Sequence, residues 1–436
     1  MPVGKMTTRL NIRVSDRFRR LSKEGFWIVF GNATAIVGTL VGVRVLTELL
    51  SPAAYGELAL GMSLAILVNQ AVLGPLSNGI IRFYAPADES GELGGYYRAV
   101  FRLVLQATAI IGLISIVTLM GLLAAGKLAW VAIVLAALAF ATLNGYNVIL
   151  SGIQNAARQR AVVALHQGLE SWIRWGVAAG LIILLGASST VAMVGYVVSV
   201  AIVLVSQYLL IRRDASTPSN VESVRWQRDI LEFSWPISIF GIFTWFQLAS
   251  DRWALGLISS TDEVGKYAVL FQLGYQPISL AAGLAMQFIT PIIYQRAGDA
   301  NDSRRNAEVS KLGWNITGVA FGMTVAAFGL ALIFHEQIFG IFAAQDYKSV
   351  SYLLPWMLLS GGSFAVGQTM ALNMMGQMKT HAMMKAKIVT AIAGVGMNFA
   401  GAYWYGTVGI IGAGLVFSIS YAMWMVVLLK TLGKNK

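Results

Sequence analysis

Apolar runs of about 18 residues or more recur from one end of this chain to the other, each long enough to cross the ~30 Å core of a bilayer as a helix. Residues 128–157, for example, contain no charged side chain. Segments this long and this continuously apolar suit helices, because the strands of a membrane barrel are shorter and alternate in polarity. Charged residues make up 12% of the chain, against roughly 25% in soluble domains, and no soluble domain of any size fits between the runs. The sequence therefore predicts an all-α polytopic membrane protein. Its first run is too long for a signal-peptide core and lacks a small-x-small cleavage pattern, so it is expected to be a retained span.

Twelve transmembrane helices are expected, at 25–49, 56–82, 99–124, 128–151, 161–186, 189–212, 230–258, 264–291, 312–334, 350–375, 384–405 and 407–430. Lys and Arg in the connections set their orientation. Twenty-six fall on the side of the two termini, and only Lys127, Lys266 and Lys348 fall on the other. Both termini are thus expected in the cytoplasm, as a basic tail over 1–24 and a short tail over 431–436. The first tail interleaves basic and apolar residues, and two readings stand: it lies on anionic headgroups, or it is simply a solvated positive tail. The same bias accounts for the net charge of +12, so nucleic-acid binding is not implied.

The chain also repeats itself. Arg44 sits late in one apolar helix and Arg252 late in another, 208 residues on, which is close to half of 436. Seven residues after each comes a serine, Ser51 or Ser259, then a turn and a glycine, Gly56 or Gly265, one residue out of step. Two halves of six spans would share one orientation, as parallel repeats do, with the substrate site between them. The expected parts are a six-helix lobe at 25–212, a linker at 213–229 containing Pro218, and a second six-helix lobe at 230–430.

Three arginines lie inside the spans, where each costs about 3 kcal/mol to insert. Arg174 belongs to a stripe with His166 and Glu170 at a spacing of four, which puts all three on one helix face. One reading offers Arg174 to an anion, with Glu170 or His166 exchanging a proton; the other has Glu170 and Arg174 neutralise each other. His166, nearer the cytoplasmic end, reads as structural or interfacial. Arg44 and Arg252 either snorkel to headgroups or converge on one anionic group. Asp251 is a candidate partner for Arg44 that would close an outer gate. Amides at Asn69, Asn147, Gln247 and Gln272 read mainly as interhelical hydrogen bonders. Pro75, Pro236 and Pro277 fall within spans two, seven and eight, where they would kink or break the helix. The prolines of spans two and eight do not occupy matching positions.

No nucleotide loop, nucleophile–base set or metal-ligand spacing is present, and three histidines and no cysteine leave little for a metal. No cofactor is expected and an enzyme is not.

The stretches RVLTELLSPAAYGELAL at 44–60, GPLSNGIIRFYA at 74–85, SDRWALGLISSTDEVGKYAV at 250–269 and IFGIFAAQDYKSV at 338–350 resemble those of bacterial polysaccharide-transport (Wzx-type, O-antigen) flippases. These belong to the multidrug/oligosaccharidyl-lipid/polysaccharide exporter superfamily. The resemblance runs from about residue 24 to 430. It implies two pseudo-symmetric six-helix lobes around a central cavity in a bacterial cytoplasmic (inner) membrane. The implied cargo is an undecaprenyl-pyrophosphate-linked oligosaccharide, an O-antigen or exopolysaccharide repeat unit, moved from inner to outer leaflet. Membrane lipids, a proton or sodium ion and polysaccharide-assembly proteins are the other implied partners. Related lipid II flippases use cavity arginines for the pyrophosphate, a role that would carry to Arg44 and Arg252. Arg174 matches no motif of the family and rests on the charge argument alone.

The rival within transport is a cation-coupled exporter of drugs, which would favour buried carboxylates over arginines. A membrane polysaccharide polymerase or ligase is the rival enzyme, but the longest connection on the outer side, around 335–349, is short for one.

Overall fold

A computed structural model describes residues 4–210, 220–297, 302–376 and 380–434. The expected linker at 213–229 therefore lies partly outside the described residues, as do the last two residues of the C-terminal tail. Thirteen α-helices follow one another: α1 (Gly4–Leu49), α2 (Pro52–Val68), α3 (Gly74–Glu89), α4 (Leu93–Ala124), α5 (Leu128–Ala156), α6 (Arg160–Leu185), α7 (Ser189–Leu210), α8 (Asn220–Ile258), α9 (Thr261–Leu270), α10 (Gln276–Ala297), α11 (Ser303–Phe342), α12 (Leu354–Gly376) and α13 (Thr380–Lys434). Asn69–Leu73 and Phe271–Tyr275 are π turns that join α2 to α3 and α9 to α10, and Gln345–Leu353 is a 3₁₀ segment. No strand occurs among the described residues.

Ten of these stretches are long and apolar enough to cross a membrane. The twelve expected differ from the ten in two places, each with a physical reason. Between residues 230 and 258, α8 carries Trp235, Trp245, Gln247, Trp253 and the pair Asp251–Arg252, which dilute its hydropathy. It is nonetheless 39 residues long, about 58 Å at helical rise. The last apolar stretch, Lys387–Thr431, counts once although α13 is broken at Gly406, where φ is 54° and ψ is −134°. That left-handed conformation suits glycine alone at little cost, and it falls between the two expected spans 384–405 and 407–430. Thr407 just beyond it donates to Glu263 Oε2. Substituting alanine at Gly406 is expected to lower the melting temperature of the detergent-purified protein by a few degrees, through about 1 kcal/mol of backbone strain.

The apolar side chains are arranged for lipid. On α4, Phe101, Leu113, Val117 and Met120 are each more than 60% exposed, and only 11% of the most apolar window of that helix is buried. An apolar surface that continuous exceeds anything a water-soluble monomer presents.

The chain forms two compact units. The first comprises Met1–Gly42, Leu64–Gly186 and Thr190–Ile242; the second comprises Val43–Ser63, Ala187–Ser189 and Phe243–Lys436. In the first unit, glycines bring helices into backbone contact. A Cβ at Gly241 would sit 1.9 Å from the Gln70 carbonyl oxygen, and one at Gly79 would sit 2.9 Å from that of Ile230. The N-terminal half of α8 is thus held against α3 and its preceding π turn. Tyr96 donates to the Ile80 carbonyl at 2.8 Å, and Arg225 pairs with Glu92 while stacking on Trp226.

In the second unit the two repeated motifs meet each other. A Cβ at Gly56 would lie 1.8 Å from the Thr261 carbonyl oxygen, and one at Gly265 would lie 1.9 Å from that of Pro52. The helix starts that follow Arg44 and Arg252 therefore cross glycine to glycine. Ser260 caps α9 by accepting the Glu263 N–H at 3.2 Å, with Asp262 and Glu263 in the first turn, as the dipole favours. Around the crossing, Tyr347 donates to the Leu50 carbonyl at 3.0 Å and the Ala344 N–H donates to Thr47 Oγ1 at 3.1 Å. Tyr55 donates to Gln272 Oε1 at 3.1 Å.

The two π turns are a shared device. In each, the N–H five residues on reaches the first carbonyl: Gly74 to Asn69, and Gln276 to Phe271. A proline follows two residues after each, Pro75 and Pro277. Proline has no N–H for the carbonyl four residues back, and a wide turn is a common way for a helix to absorb such a gap. The two prolines differ in distance from Gly56 and Gly265, but each has the same local setting.

Candidate functional site

The charged side chains within the spans separate into a group in each unit. In the first unit, α6 presents His166, Glu170 and Arg174 on one face as expected, but their partners divide them. Arg174 forms an ion pair with Glu170. Its guanidinium also lies over the rings of Phe140, at 5.4 Å, and Tyr196, at 5.8 Å, a cation–π arrangement with both. His166 is buried, with Nδ1 2.7 Å from the Val162 carbonyl and Nε2 3.0 Å from Ser206 Oγ. A carbonyl only accepts, so Nδ1 carries a proton. The stripe is thus a neutralised pair beside a histidine tied to its own helix and to α7. Because Arg174 and Glu170 neutralise each other, Glu170→Ala alone should melt lower than the Glu170→Ala/Arg174→Ala double variant, read as melting temperature in detergent.

The second unit holds the other candidates. Arg44 pairs with Glu48 one turn along α1 and donates to the Ala343 carbonyl. Asp251 is 7% exposed, and both its oxygens are occupied: Tyr267 Oη donates to one at 2.5 Å and the Arg252 N–H to the other at 2.6 Å. In this state Arg44 is on Glu48 and Asp251 on Tyr267, and the two are not paired with each other. Arg252 differs from the other two arginines. Its guanidinium lies 4.3 Å from the centroid of the Phe271 ring and donates weakly to the Leu248 carbonyl at 3.4 Å. Among the described residues it has no carboxylate within ion-pair distance. Of the three arginines, Arg252 is the one without an ion pair among the described residues.

Asp251 opens onto a cavity of about 620 Å³, mouth included, within the second unit. Gln247, Tyr267, Phe271, Tyr275 and Asn398 also line it. Sequence reasoning singled out Asp251 and Gln247 here but missed the aromatic wall and Asn398. The signal available was FQLGY, with two rings four residues apart ahead of a proline, and a lone amide in an apolar span. Asn398 donates to Ser250 Oγ at 2.9 Å, beside Asp251. Elsewhere the amides act between helices, as Asn147 does to the Val200 carbonyl at 3.2 Å. Among the described residues no group of three or more His, Cys, Asp or Glu is placed to hold a metal ion.

The sequence model of a family described as polysaccharide biosynthesis protein matches residues 21–297, more than half of the chain. The chain belongs to this family. A comparison with curated proteins by sequence finds no match. Solved structures share the fold. A lipid II flippase, MurJ, in an inward closed conformation superposes with a TM-score of 0.70 at 12% identity, over 93% of this chain and 87% of that one. An inward-facing multidrug resistance MATE family transporter of the MOP superfamily gives 0.65 at 15% identity, over 92% and 96%. A MOP superfamily transporter from Pyrococcus furiosus, described as having a binding pocket of reverse polarity, gives 0.57 at 15%, over 94% and 96%. The chain is thus a multi-pass membrane protein with the fold of MOP-superfamily transporters.

Proposed function

We propose that the chain is a flippase that carries an undecaprenyl-pyrophosphate-linked oligosaccharide from the inner to the outer leaflet of a bacterial cytoplasmic membrane. The observation that carries this reading is Arg252, a guanidinium in the expected span 230–258, stacked on Phe271 and without a carboxylate partner among the described residues. A pyrophosphate diester bears about two negative charges and accepts the bidentate, permanently charged donors of arginine. Arg44 serves the same anion once released from Glu48, and Arg174 contributes if Glu170 gives it up. Asp251, with Glu170 and His166, is the set from which a gate or a proton or sodium coupling would be drawn. In this reading the lobes are 25–212 and 230–430, and both termini face the cytoplasm, where the 26 basic residues lie. Moving two negative charges outward is favoured by about 2.3 kcal/mol per charge per 100 mV, so ion coupling is an addition and not a requirement.

The second reading is a cation-coupled multidrug exporter, and the buried carboxylate of Asp251 in a cavity favours it. Purified protein in liposomes separates the two. Flipping of a fluorescent undecaprenyl-pyrophosphate oligosaccharide supports the flippase. Ion-dependent efflux of an organic cation, with no flipping of any lipid-linked sugar, hands the protein to the exporter reading.

A further inference from the structure

The cavity of the second unit has a lining that an anion site does not require. Phe271 and Tyr275 stack on each other, with centroids 4.9 Å apart and planes 15° from parallel, and the pair forms an apolar wall of the cavity. The π turn makes this wall, since a turn wider than 3.6 residues brings positions four apart nearly into line. The polar lining includes Asp251, Ser360, Ser418 and two amides, Gln247 and Asn398, that both donate and accept.

Three ligand chemistries can be weighed against this lining. A phosphate would meet the Asp251 carboxylate. A bare cation would have to displace Tyr267 or the Arg252 N–H, which already hold both carboxylate oxygens. A pyranose ring fits both halves: its faces carry carbon-bound hydrogens for an aromatic wall, and its hydroxyls project at the rim towards groups that donate and accept.

The geometry points to a sugar subsite in the second unit, taking one pyranose of the lipid-linked oligosaccharide against Phe271 and Tyr275 with its hydroxyls read by Gln247 and Asn398. This rests on the flippase reading above and adds to it a place for the sugar. Arg252 lies over the Phe271 ring that also lines the cavity, so phosphate and sugar subsites share one side chain. That juxtaposition matches a cargo in which the sugar is bonded to the phosphate.

The test compares binding of four probes to the full chain in nanodiscs: undecaprenyl pyrophosphate bare, and the same lipid bearing glucose, galactose or N-acetylglucosamine. Wild type should bind at least one sugared probe about tenfold more tightly than the bare lipid, the scale of one or two neutral hydrogen bonds with stacking. Tyr275→Ala and Asn398→Ala should lose that difference, and Tyr275→Phe, which keeps the ring, should retain it. The proposal is overturned if wild type does not distinguish any sugared probe from the bare lipid. It is equally overturned if the two alanine variants keep the difference, or weaken the bare lipid as much as the sugared one. Arg252→Ala reports on the other reading: equal weakening of all probes supports the pyrophosphate role. Unchanged binding of the bare lipid removes that role and leaves the sugar subsite to be judged on the difference alone.

Discussion

Arg252→Ala is expected to slow flipping of a lipid-linked oligosaccharide by on the order of tenfold to a hundredfold in proteoliposomes, with little change in melting temperature. The size follows from losing hydrogen bonds to a charged group, worth about 1.5–3 kcal/mol. Stability should hold because Arg252 has no ion pair to break among the described residues and its hydrogen bond to Leu248 is long. Arg252→Lys keeps the charge but loses the planar fork, so it should recover only part of the rate. Arg44→Ala is expected to do less, because Glu48 already compensates Arg44 and its other bond goes to a carbonyl. Wild-type flipping by a well-folded Arg252→Ala protein would sink the assignment of the anion to this residue.

The second large effect is structural. Gly56→Val and Gly265→Val are each expected to prevent accumulation of folded protein, read as monodisperse material after detergent extraction. The atoms that a Cβ would strike, at 1.8 Å and 1.9 Å, are backbone carbonyl oxygens of the opposite helix. No rotamer change relieves that; the helices must separate. Overpacking costs about 1–3 kcal/mol where side chains can give, and more is expected here, against a total stability of about 5–15 kcal/mol. Gly112→Val on α4 is the control, since nothing lies within 4 Å of its Cβ position, and it should extract like wild type. Equal behaviour of all three variants would mean that the crossing is not closely packed in the membrane.

Much of the architecture was legible because hydropathy reports span length and position directly. The break at Gly406 was legible too, as an aromatic run ending in glycine between two apolar stretches. The repeat was visible as Arg44–Ser51–Gly56 against Arg252–Ser259–Gly265, but the mutual contact of those glycines was not, because spacing along a chain says nothing about what faces it. The same limit hid the partners of the charges. Glu170 was readable as the partner of Arg174 at four residues' spacing, whereas the contact of Arg44 with Ala343 lies 299 residues away. The carboxylate of Asp251 was noticed, but its engagement with Tyr267 depends on how α8 and α9 pack. The two prolines looked unrelated when counted from the repeated glycines, since the wide turns that precede them leave no mark in composition.

Those wide turns also bear on how the chain tolerates change in length. A helix that loses one residue ordinarily swings everything downstream by about 100°, which turns lipid-facing side chains inward. Phe271–Tyr275 and Asn69–Leu73 are places where a residue more than an α-turn needs is already stored. A single deletion there would convert the wide turn into an α-turn, so the downstream side chains would keep nearly the faces they have. One-residue deletions should therefore be tolerated at these two points and not elsewhere in the same helices.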